Sequence, residues 1–164
     1  MIQELLFALP DGRRVLIRSV VVERLMKYQQ VEPKDKEAGG ILIGRILLED
    51  GNFIIDDASE PLSSDIRLRN RFIRNTDGHQ DYFNTSWLEN DGHCFYLGEW
   101  HTHPEAHPIP SCVDTRDWNR IMRLNHESDS LFFVIVGTQS VHVWQGNRVN
   151  LKIVKLMIVE EKHV

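Results

Sequence analysis

Residues 39–48 read GGILIGRILL, an almost continuous apolar run that includes three isoleucines. An apolar run rich in β-branched side chains is typical of a strand that is buried on both faces of a sheet. A strand of this kind lies in the interior of its sheet rather than at an edge. We therefore expect residues 39–48 to form the central strand.

Turn signals and apolar periodicity on either side of this run predict the remaining elements. The sequences PDGR at residues 10–13 and EDGN at residues 49–52 are turns between apolar stretches. Residues 59–68 are expected to form a loop, as are residues 104–110, which contain three prolines. Further strands are predicted over residues 3–9, 14–18, 53–58, 69–75, 94–102, 131–137, 140–145 and 149–159. Helices are predicted over residues 19–28, 76–88 and 111–125, with N-caps at Ser19, Thr76 or Asp77, and Ser111.

Length, charge and cysteine content restrict the class of protein. The chain has 164 residues and a formal net charge of −5, and we expect one domain over residues 1–164. The negative charge argues against a nucleic-acid partner, and no apolar run of about 18 residues predicts a membrane span. Cys94 and Cys112 could pair, but a single disulfide would not indicate an oxidising compartment. Without a recognisable secretory leader, we expect a cytoplasmic protein.

A candidate metal site lies in GEWHTHP, residues 98–104, followed by SCVD, residues 111–114. His101 and His103 are two positions apart, so on an extended segment both side chains point to the same face. Asp114 follows a short loop and can fold back to complete a three-ligand set. Three protein ligands leave one tetrahedral position open for water, which is typical of a catalytic zinc. An isolated H-x-H pair is more often two ordinary strand histidines, so the downstream aspartate carries this interpretation.

Two further residues are candidates for the chemistry itself, each with a plainer alternative. Ser111 and Asp114 have the spacing of a helix capping box, but the Ser111 hydroxyl could also donate to a developing oxyanion. Glu37 precedes a run of small residues at the start of the predicted central strand and could act as general base. By spacing alone, Glu37 is a solvated loop residue.

Other polar and aromatic residues near the motif receive less functional weight. Glu99 is two positions before His101, so its side chain could lie on the same face of the strand as both histidines, or it could hydrogen-bond to a ligand without binding the metal. His107 is expected to be a solvent-exposed loop residue, and Cys112 to be a packing residue. Trp100 and Trp118 are also expected to pack in the core.

Taken together, Glu37, His101, His103, Ser111 and Asp114 resemble the signature of the JAMM/MPN metalloproteases, a distant glutamate followed by H-x-H-P-x6-S-x2-D. The resemblance implies an α/β fold with three layers, cytidine-deaminase-like, in which helices flank a curved mixed sheet. It also implies one Zn²⁺ per chain, bound by the two histidines and the aspartate. The glutamate would activate the attacking water, and the serine would be the oxyanion partner.

The segments EAGGILIGR, residues 37–45, and YLGEWHTHPE, residues 96–105, resemble the prokaryotic branch of this family. Within the branch, the similarity is to the deconjugating proteases of bacterial antiphage CBASS operons. This resemblance implies an isopeptidase that releases a ubiquitin-like protein, or a cyclic-oligonucleotide synthase (CD-NTase), from conjugates joined through its C-terminal tail. It further implies a functional link to an E1/E2-like conjugating protein.

Two other function classes stay open on the sequence, namely a scaffold without catalysis and a zinc hydrolase of another substrate class. The complete ligand set argues against the first, and the missing deaminase pattern H-x-E with P-C-x-x-C argues against a nucleobase deaminase. For an isopeptidase, we predict that residues 69–75 form an exposed strand edge for the tail. Arg69, Arg71 and Arg74 would attract an acidic part of the partner, although a solvated basic strand is an equally good interpretation.

Overall fold

The computed structural model describes residues 2–159. Its elements follow in the order β1 (Leu5–Ala8), β2 (Arg14–Ile17), α1 (Ser19–Met26), β3 (Gly39–Ile46), β4 (Phe53–Ala58), β5 (Ile66–Leu68), β6 (Arg71–Ile73), α2 (Thr76–Glu89), β7 (Phe95–Thr102), α3 (Cys112–Met122), β8 (Ser130–Val136), β9 (Val141–Asn147), β10 (Lys152–Lys155) and β11 (Met157–Ile158). Among these residues, no helix has the length and apolar character that crossing a membrane requires.

Nine strands form one mixed sheet in the order β10-β9-β8-β7-β3-β4-β2-β1-β11. The pairs β2–β4 and β7–β8 are parallel, and the other neighbours are antiparallel. Strand β3 is the middle strand, which confirms the prediction from its apolar sequence. The two outermost strands, β10 and β11, are separated along the chain by Leu156 alone. Because nine flat strands would span roughly 38 Å, the sheet must curve to bring its ends together.

Helices cover both faces of this sheet and create three layers. In β8, Phe132 and Val134 pack in the cluster that contains the buried side chains of α1. The alternate residues Phe133 and Ile135 pack against Trp118 of α3 on the other face. Helix α2 covers the same face further along, over Ile41 and Ile43 of β3. The expected α/β fold, a curved mixed sheet flanked by helices, is therefore confirmed.

A kink in β7 sets the direction of the residues that follow it. The register between β3 and β7 shifts between Leu42 and Ile43. Opposite this shift, Gly98 has a φ of +132°, and an added Cβ would collide with the carbonyl oxygen of Phe132 on β8. Only glycine adopts this conformation with the neighbouring strand so close. The position therefore fixes how β7 enters its last four residues, which carry the first candidate ligand.

Several sequence predictions were wrong in detail. Residues 59–68 are not all loop, because β5 pairs with β6 in a separate two-stranded sheet. The N-caps of α1 and α2 are Arg18 and Asn75, each one residue earlier than predicted. Helix α3 ends at Met122 and not near residue 125, and the Arg148 guanidinium donates to carbonyls at and after that end. The strand predicted over 149–159 is two short strands.

Candidate metal centre

The two motif histidines lie at the end of β7 with their Nε2 atoms 3.0 Å apart. The structure thus brings His101 and His103 to the same face of the strand end, as their spacing predicted. Their side chains are only 13% and 10% exposed. Two imidazole nitrogens held this close, and largely shielded from water, are arranged to share a cation.

Asp114 reaches the same point from the first turn of α3. Its Oδ2 lies 3.3 Å from His101 Nε2 and 3.1 Å from His103 Nε2. The same oxygen accepts the Ser111 backbone N–H at 2.8 Å, and the Ser111 Oγ accepts the Asp114 backbone N–H at 3.1 Å. The capping box is therefore present and also orients the carboxylate, so the two interpretations of Ser111 and Asp114 are compatible.

These three ligand atoms fit a zinc ion. Their mutual distances of 3.0, 3.1 and 3.3 Å form a nearly equilateral triangle. Tetrahedral zinc with bonds of about 2.0–2.1 Å separates its ligand atoms by roughly 3.3 Å. Two imidazoles and one carboxylate are a known catalytic ligand set for zinc, and they leave a fourth position for water. The side chains of His101, His103 and Asp114 could therefore hold this metal.

Burial and hydrogen bonding shift the pKa values of this cluster. Burial alone would raise the pKa of the Asp114 carboxyl, but hydrogen bonds from His101 and His103 bring it well below its usual range. Burial alone would lower the pKa of His103, but its contacts with Asp114 raise it. The carboxylate thus stays ionised, as a metal ligand must be.

Glu37 lies beside the triangle, at the end of the loop that enters β3. One carboxylate oxygen of Glu37 and the ligand nitrogens of both histidines all lie within 4.8 Å of one another, a cluster that could itself hold a metal ion. Glu37 is only 5% exposed, so the solvated position expected from spacing alone is wrong. Burial is the main reason that its pKa rises to about 7, although the charge of His103 opposes the rise.

The β5–β6 hairpin holds the backbone of Glu37 in place. The Glu37 backbone N–H donates to the Leu68 carbonyl oxygen at 2.8 Å, and its own carbonyl accepts the Arg67 Nε at 2.9 Å. Both contacts come from β5, the strand that the sequence analysis assigned to a loop. The hairpin therefore fixes the backbone of Glu37 from one side.

Sequence reasoning missed one supporting residue, Glu105. Its Oε1 lies 2.8 Å from the Nδ1 of His103. A carboxylate at Nδ1 holds the proton there and leaves Nε2, the atom that faces Asp114 and His101, free to bind a metal. The available signal was a carboxylate two positions after a candidate ligand in the sequence HPE.

The remaining residues singled out in the motif region do not join the triangle. Glu99 forms an ion pair with Arg74 at 2.6 Å, and His107 is exposed and bonds to the Ser140 hydroxyl. Trp100 and Trp118 are buried as predicted. Cys112 is exposed, so its predicted packing role is wrong. It occupies the first helical position of α3, outside the face that packs on the sheet.

A groove of about 670 Å³ leads to these side chains. One wall comes from residues 70–74 around β6, and the other from α3. Glu37, the two histidines, Ser111 and Asp114 all line it. A groove that brings a buried carboxyl group and a serine hydroxyl to a candidate metal position has side chains of the kinds that hydrolysis uses.

Curated proteins similar to this chain carry a common name. The chain is 38% identical to a "CD-NTase/cGAS isopeptidase" of Vibrio cholerae over 146 residues, which cover 88% of each protein. It is 35% identical to a protein of that name from Escherichia coli, over 93% of this chain and 94% of the relative. A Pseudomonas aeruginosa protein, again with that name, is 33% identical over 84% and 86% of the two chains.

The fold and a family match agree with these relatives. The solution structure of protein DSY2949 from Desulfitobacterium hafniense resembles this fold with a TM-score of 0.51 and 18% identity. The similarity covers 82% of this chain and 83% of that one. The family described as prokaryotic homologs of the JAB domain matches residues 19–151. Since that match spans most of the chain, and three relatives are 33–38% identical over 84–93% of it, the chain belongs to the prokaryotic JAB family and has its α/β MPN-type fold.

Proposed function

We propose that the chain is a zinc-dependent isopeptidase of the JAMM type. It would cut the bond after the C-terminal tail of a CD-NTase or ubiquitin-like protein, releasing it from conjugates in antiphage CBASS signalling. The observation that carries the proposal is the triangle of His101, His103 and Asp114 beside buried Glu37. The isopeptidase name shared by the relatives supports the reaction class and the CD-NTase substrate.

The chain's own residues supply the proton transfers of this reaction. A zinc ion held by the three ligands would lower the pKa of a bound water and polarise the scissile carbonyl. A carboxylate oxygen of Glu37 takes the proton from the water as the new C–O bond forms. The same group returns the proton to the amine nitrogen as the C–N bond breaks. The products are the free tail carboxylate and the free lysine amine of the target.

Ser111 is proposed to stabilise the carbonyl oxygen while that oxygen gains negative charge. Its Oγ accepts the Asp114 backbone N–H at 3.1 Å, so the hydroxyl hydrogen remains available to a second acceptor. Ser111 is exposed to the groove, where a substrate carbonyl can reach it. The hydroxyl is thereby fixed in place before the substrate arrives, which is the requirement for an oxyanion donor.

The edge of β6 is the proposed site for the substrate tail. Strand β6 pairs only with β5 among the described strands, so its other edge is available to a tail in extended conformation. Of the three arginines, Arg69 binds backbone carbonyls of the loop at residues 32–35 and Arg74 pairs with Glu99. Arg71 is exposed and has no ion pair within residues 2–159, so we assign it the attraction of an acidic group.

The remaining features of the proposal come from the family resemblance and from composition. The reaction would take place in the cytoplasm, and the two cysteines, which are both free thiols, agree with a reducing compartment. A functional link to an E1/E2-like conjugating protein, and the absence of a nucleic-acid or membrane partner, are also proposed. A single domain over residues 1–164 stays a prediction.

A pair of tail fusions tests the proposed substrate. A CD-NTase fused through its tail to a second protein should be cut at the junction, and a fusion with its last tail residues scrambled should not. A lysine-linked conjugate of the same CD-NTase should also be cut, because recognition lies on the acyl side. Mass spectrometry of the products identifies the cut. Equal cleavage of both fusions, or cuts elsewhere, would show a general peptidase.

A thiol mechanism is tested separately, because exposed Cys112 adjoins the site. Chelation of the zinc should abolish cleavage, whereas Cys112→Ala should retain most of the parental rate, since water and not a side chain attacks the carbonyl. The measurement is the rate of fusion cleavage, with mass spectrometry of the protein during turnover. A covalent adduct between the enzyme and the tail would contradict the proposal.

A further inference from the structure

At the point where β3 and β7 separate, a side chain replaces the backbone as hydrogen-bond acceptor. The last paired residues are Gly39 and His101. One step further, the Thr102 backbone N–H still donates to the Ala38 carbonyl at 2.9 Å. The Ala38 N–H, however, donates to the Thr102 side-chain Oγ1 at 3.0 Å and not to a backbone carbonyl. The threonine hydroxyl thus replaces a backbone acceptor at the end of the ladder.

The backbone pairing between β7 and β3 ends here, one residue before the second histidine. The His103 N–H donates to the Val136 carbonyl of β8 at 3.0 Å, so hydrogen bonding to β8 continues one residue past Thr102, where the backbone pairing with β3 ends. Thr102 is fully buried, and an unpaired backbone N–H is costly in such a place. Its hydroxyl pairs the Ala38 N–H at the point where a backbone acceptor from β7 is missing.

A buried glutamine completes the connection. Gln30, which is 2% exposed and follows α1, accepts the Thr102 hydroxyl hydrogen through its Oε1 at 2.9 Å. Its Nε2 donates to the carbonyl of Arg69 at 2.8 Å and to that of Asp35 at 3.3 Å. One side chain therefore links the histidine strand with the loop before Glu37 and with the β5–β6 hairpin.

The hydrogen bonds of Thr102 and Gln30 lie next to the proposed reacting groups but outside the groove. Thr102 lies between the two candidate ligands His101 and His103, and Ala38 directly follows Glu37. Neither Thr102 nor Gln30 lines the groove, so neither can contact substrate. The hydrogen bonds do, however, join the backbone that carries the proposed base to the backbone that carries the ligands. The proton transfer depends on this relative position.

We propose that Thr102 and Gln30 are positioning residues that set the Glu37 carboxylate against the two histidines and hold the β5–β6 hairpin to both. The inference rests on the proposed function, in which Glu37 transfers the protons. Loss of the Thr102 hydroxyl should lower kcat and leave substrate affinity and zinc content nearly unchanged, because ligands and groove stay intact. Loss of Gln30, which also holds the hairpin that carries the proposed tail site, should lower kcat and raise KM as well.

The test uses Thr102→Val, which has nearly the shape of threonine but no hydroxyl. Cleavage of the tail fusion by the zinc-loaded variant should show a kcat lower by about 10- to 100-fold, as small misplacements of reacting groups cause, with KM little changed. Thr102→Ser should restore most of the kcat. Gln30→Leu should also lower kcat, and the double variant should lose less kcat than the sum of both effects, because the two residues share one hydrogen bond.

Ser130→Ala is a matched control for the loss of a buried hydroxyl. Ser130 lies at the far end of β8 and is 1% exposed. Its Oγ accepts a hydrogen bond from Gln145 Nε2 at 3.0 Å. This variant should lower the melting temperature comparably and keep the parental kcat. An equal loss of kcat in Ser130→Ala would show general destabilisation and overturn the proposal, as would a parental kcat in Thr102→Val.

Amide hydrogen exchange supplies a readout that needs no activity. The Ala38 amide should exchange faster in Thr102→Val and remain protected in Thr102→Ser, while the amides in the middle of β3 are unaffected. Unchanged protection of Ala38 in Thr102→Val would overturn the inference. If the parental protein cuts no tail fusion, the proposed function fails, whereas this exchange measurement still decides whether the hydroxyl holds the loop. If Thr102→Val does not fold, Gln30→Leu and Thr102→Ser carry the same comparison.

Discussion

Replacing either His101 or Asp114 by alanine is expected to reduce bound zinc to well below one ion per chain and to reduce cleavage to the level of the metal-free protein. Each residue supplies one of three atoms that lie 3.0–3.3 Å apart. With only two protein ligands left, the site no longer has the three-ligand set of a catalytic zinc, so its affinity for the ion should fall. Elemental analysis after dialysis measures the zinc, and fusion cleavage measures the activity.

Two control variants separate ligand loss from local damage. His107→Ala removes an exposed histidine of the adjoining loop, which bonds to Ser140 and is not at the triangle. Asp117→Ala removes a carboxylate one turn further along α3. Both should keep one zinc per chain. Asp114→Ala also removes half of the capping box, worth about 1 kcal/mol of stability, so its melting temperature should be compared in the metal-free state. Stoichiometric zinc in both His101→Ala and Asp114→Ala would contradict the ligand assignment.

The fold was predictable where burial controls the sequence pattern. Residues 39–44 are apolar or glycine because both faces of β3 are buried there, and the pattern therefore identified the middle strand. The end of the apolar run is different, because Leu48 lies beyond β3 and is fully exposed. Strand β5 could not be identified in this way, because Ile66 and Leu68 are both exposed. Its conformation depends on pairing with β6 and on contacts with the Glu37 backbone. Such contacts leave no periodicity in the sequence.

Some residues of the candidate site could be predicted from the sequence, and others could not. His101, His103 and Asp114 are close in sequence, so strand parity and a helix start suffice to bring them together. Glu37 comes from the loop before β3, far from the motif in sequence, and only the family resemblance pointed to it. Gln30 could not be found at all, since a glutamine after a helix is usually solvated, and its burial depends on three segments meeting around it.

Replacing Glu37 by glutamine is expected to spare the zinc and remove most of the turnover. Glutamine has nearly the same shape, but its amide cannot accept the proton of the attacking water. General acid–base groups contribute typically ~10²–10⁴-fold, so kcat should fall by about that factor. Glu32→Gln is the matched control, because the same substitution falls in the same loop at an exposed position. It should keep both zinc and rate.

The pH dependence distinguishes a base from a residue that only shapes the site. Burial raises the pKa of Glu37 to about 7, and a bound cation would lower it from there, because a nearby positive charge favours the carboxylate. A base must be ionised, so the parental rate should fall with decreasing pH at or below neutrality, and this acidic limb should be absent from the residual activity of Glu37→Gln. Loss of zinc from Glu37→Gln would instead make Glu37 a ligand, as its 4.8 Å cluster with the histidines allows. Full zinc together with the parental rate would assign the proton transfer to another residue.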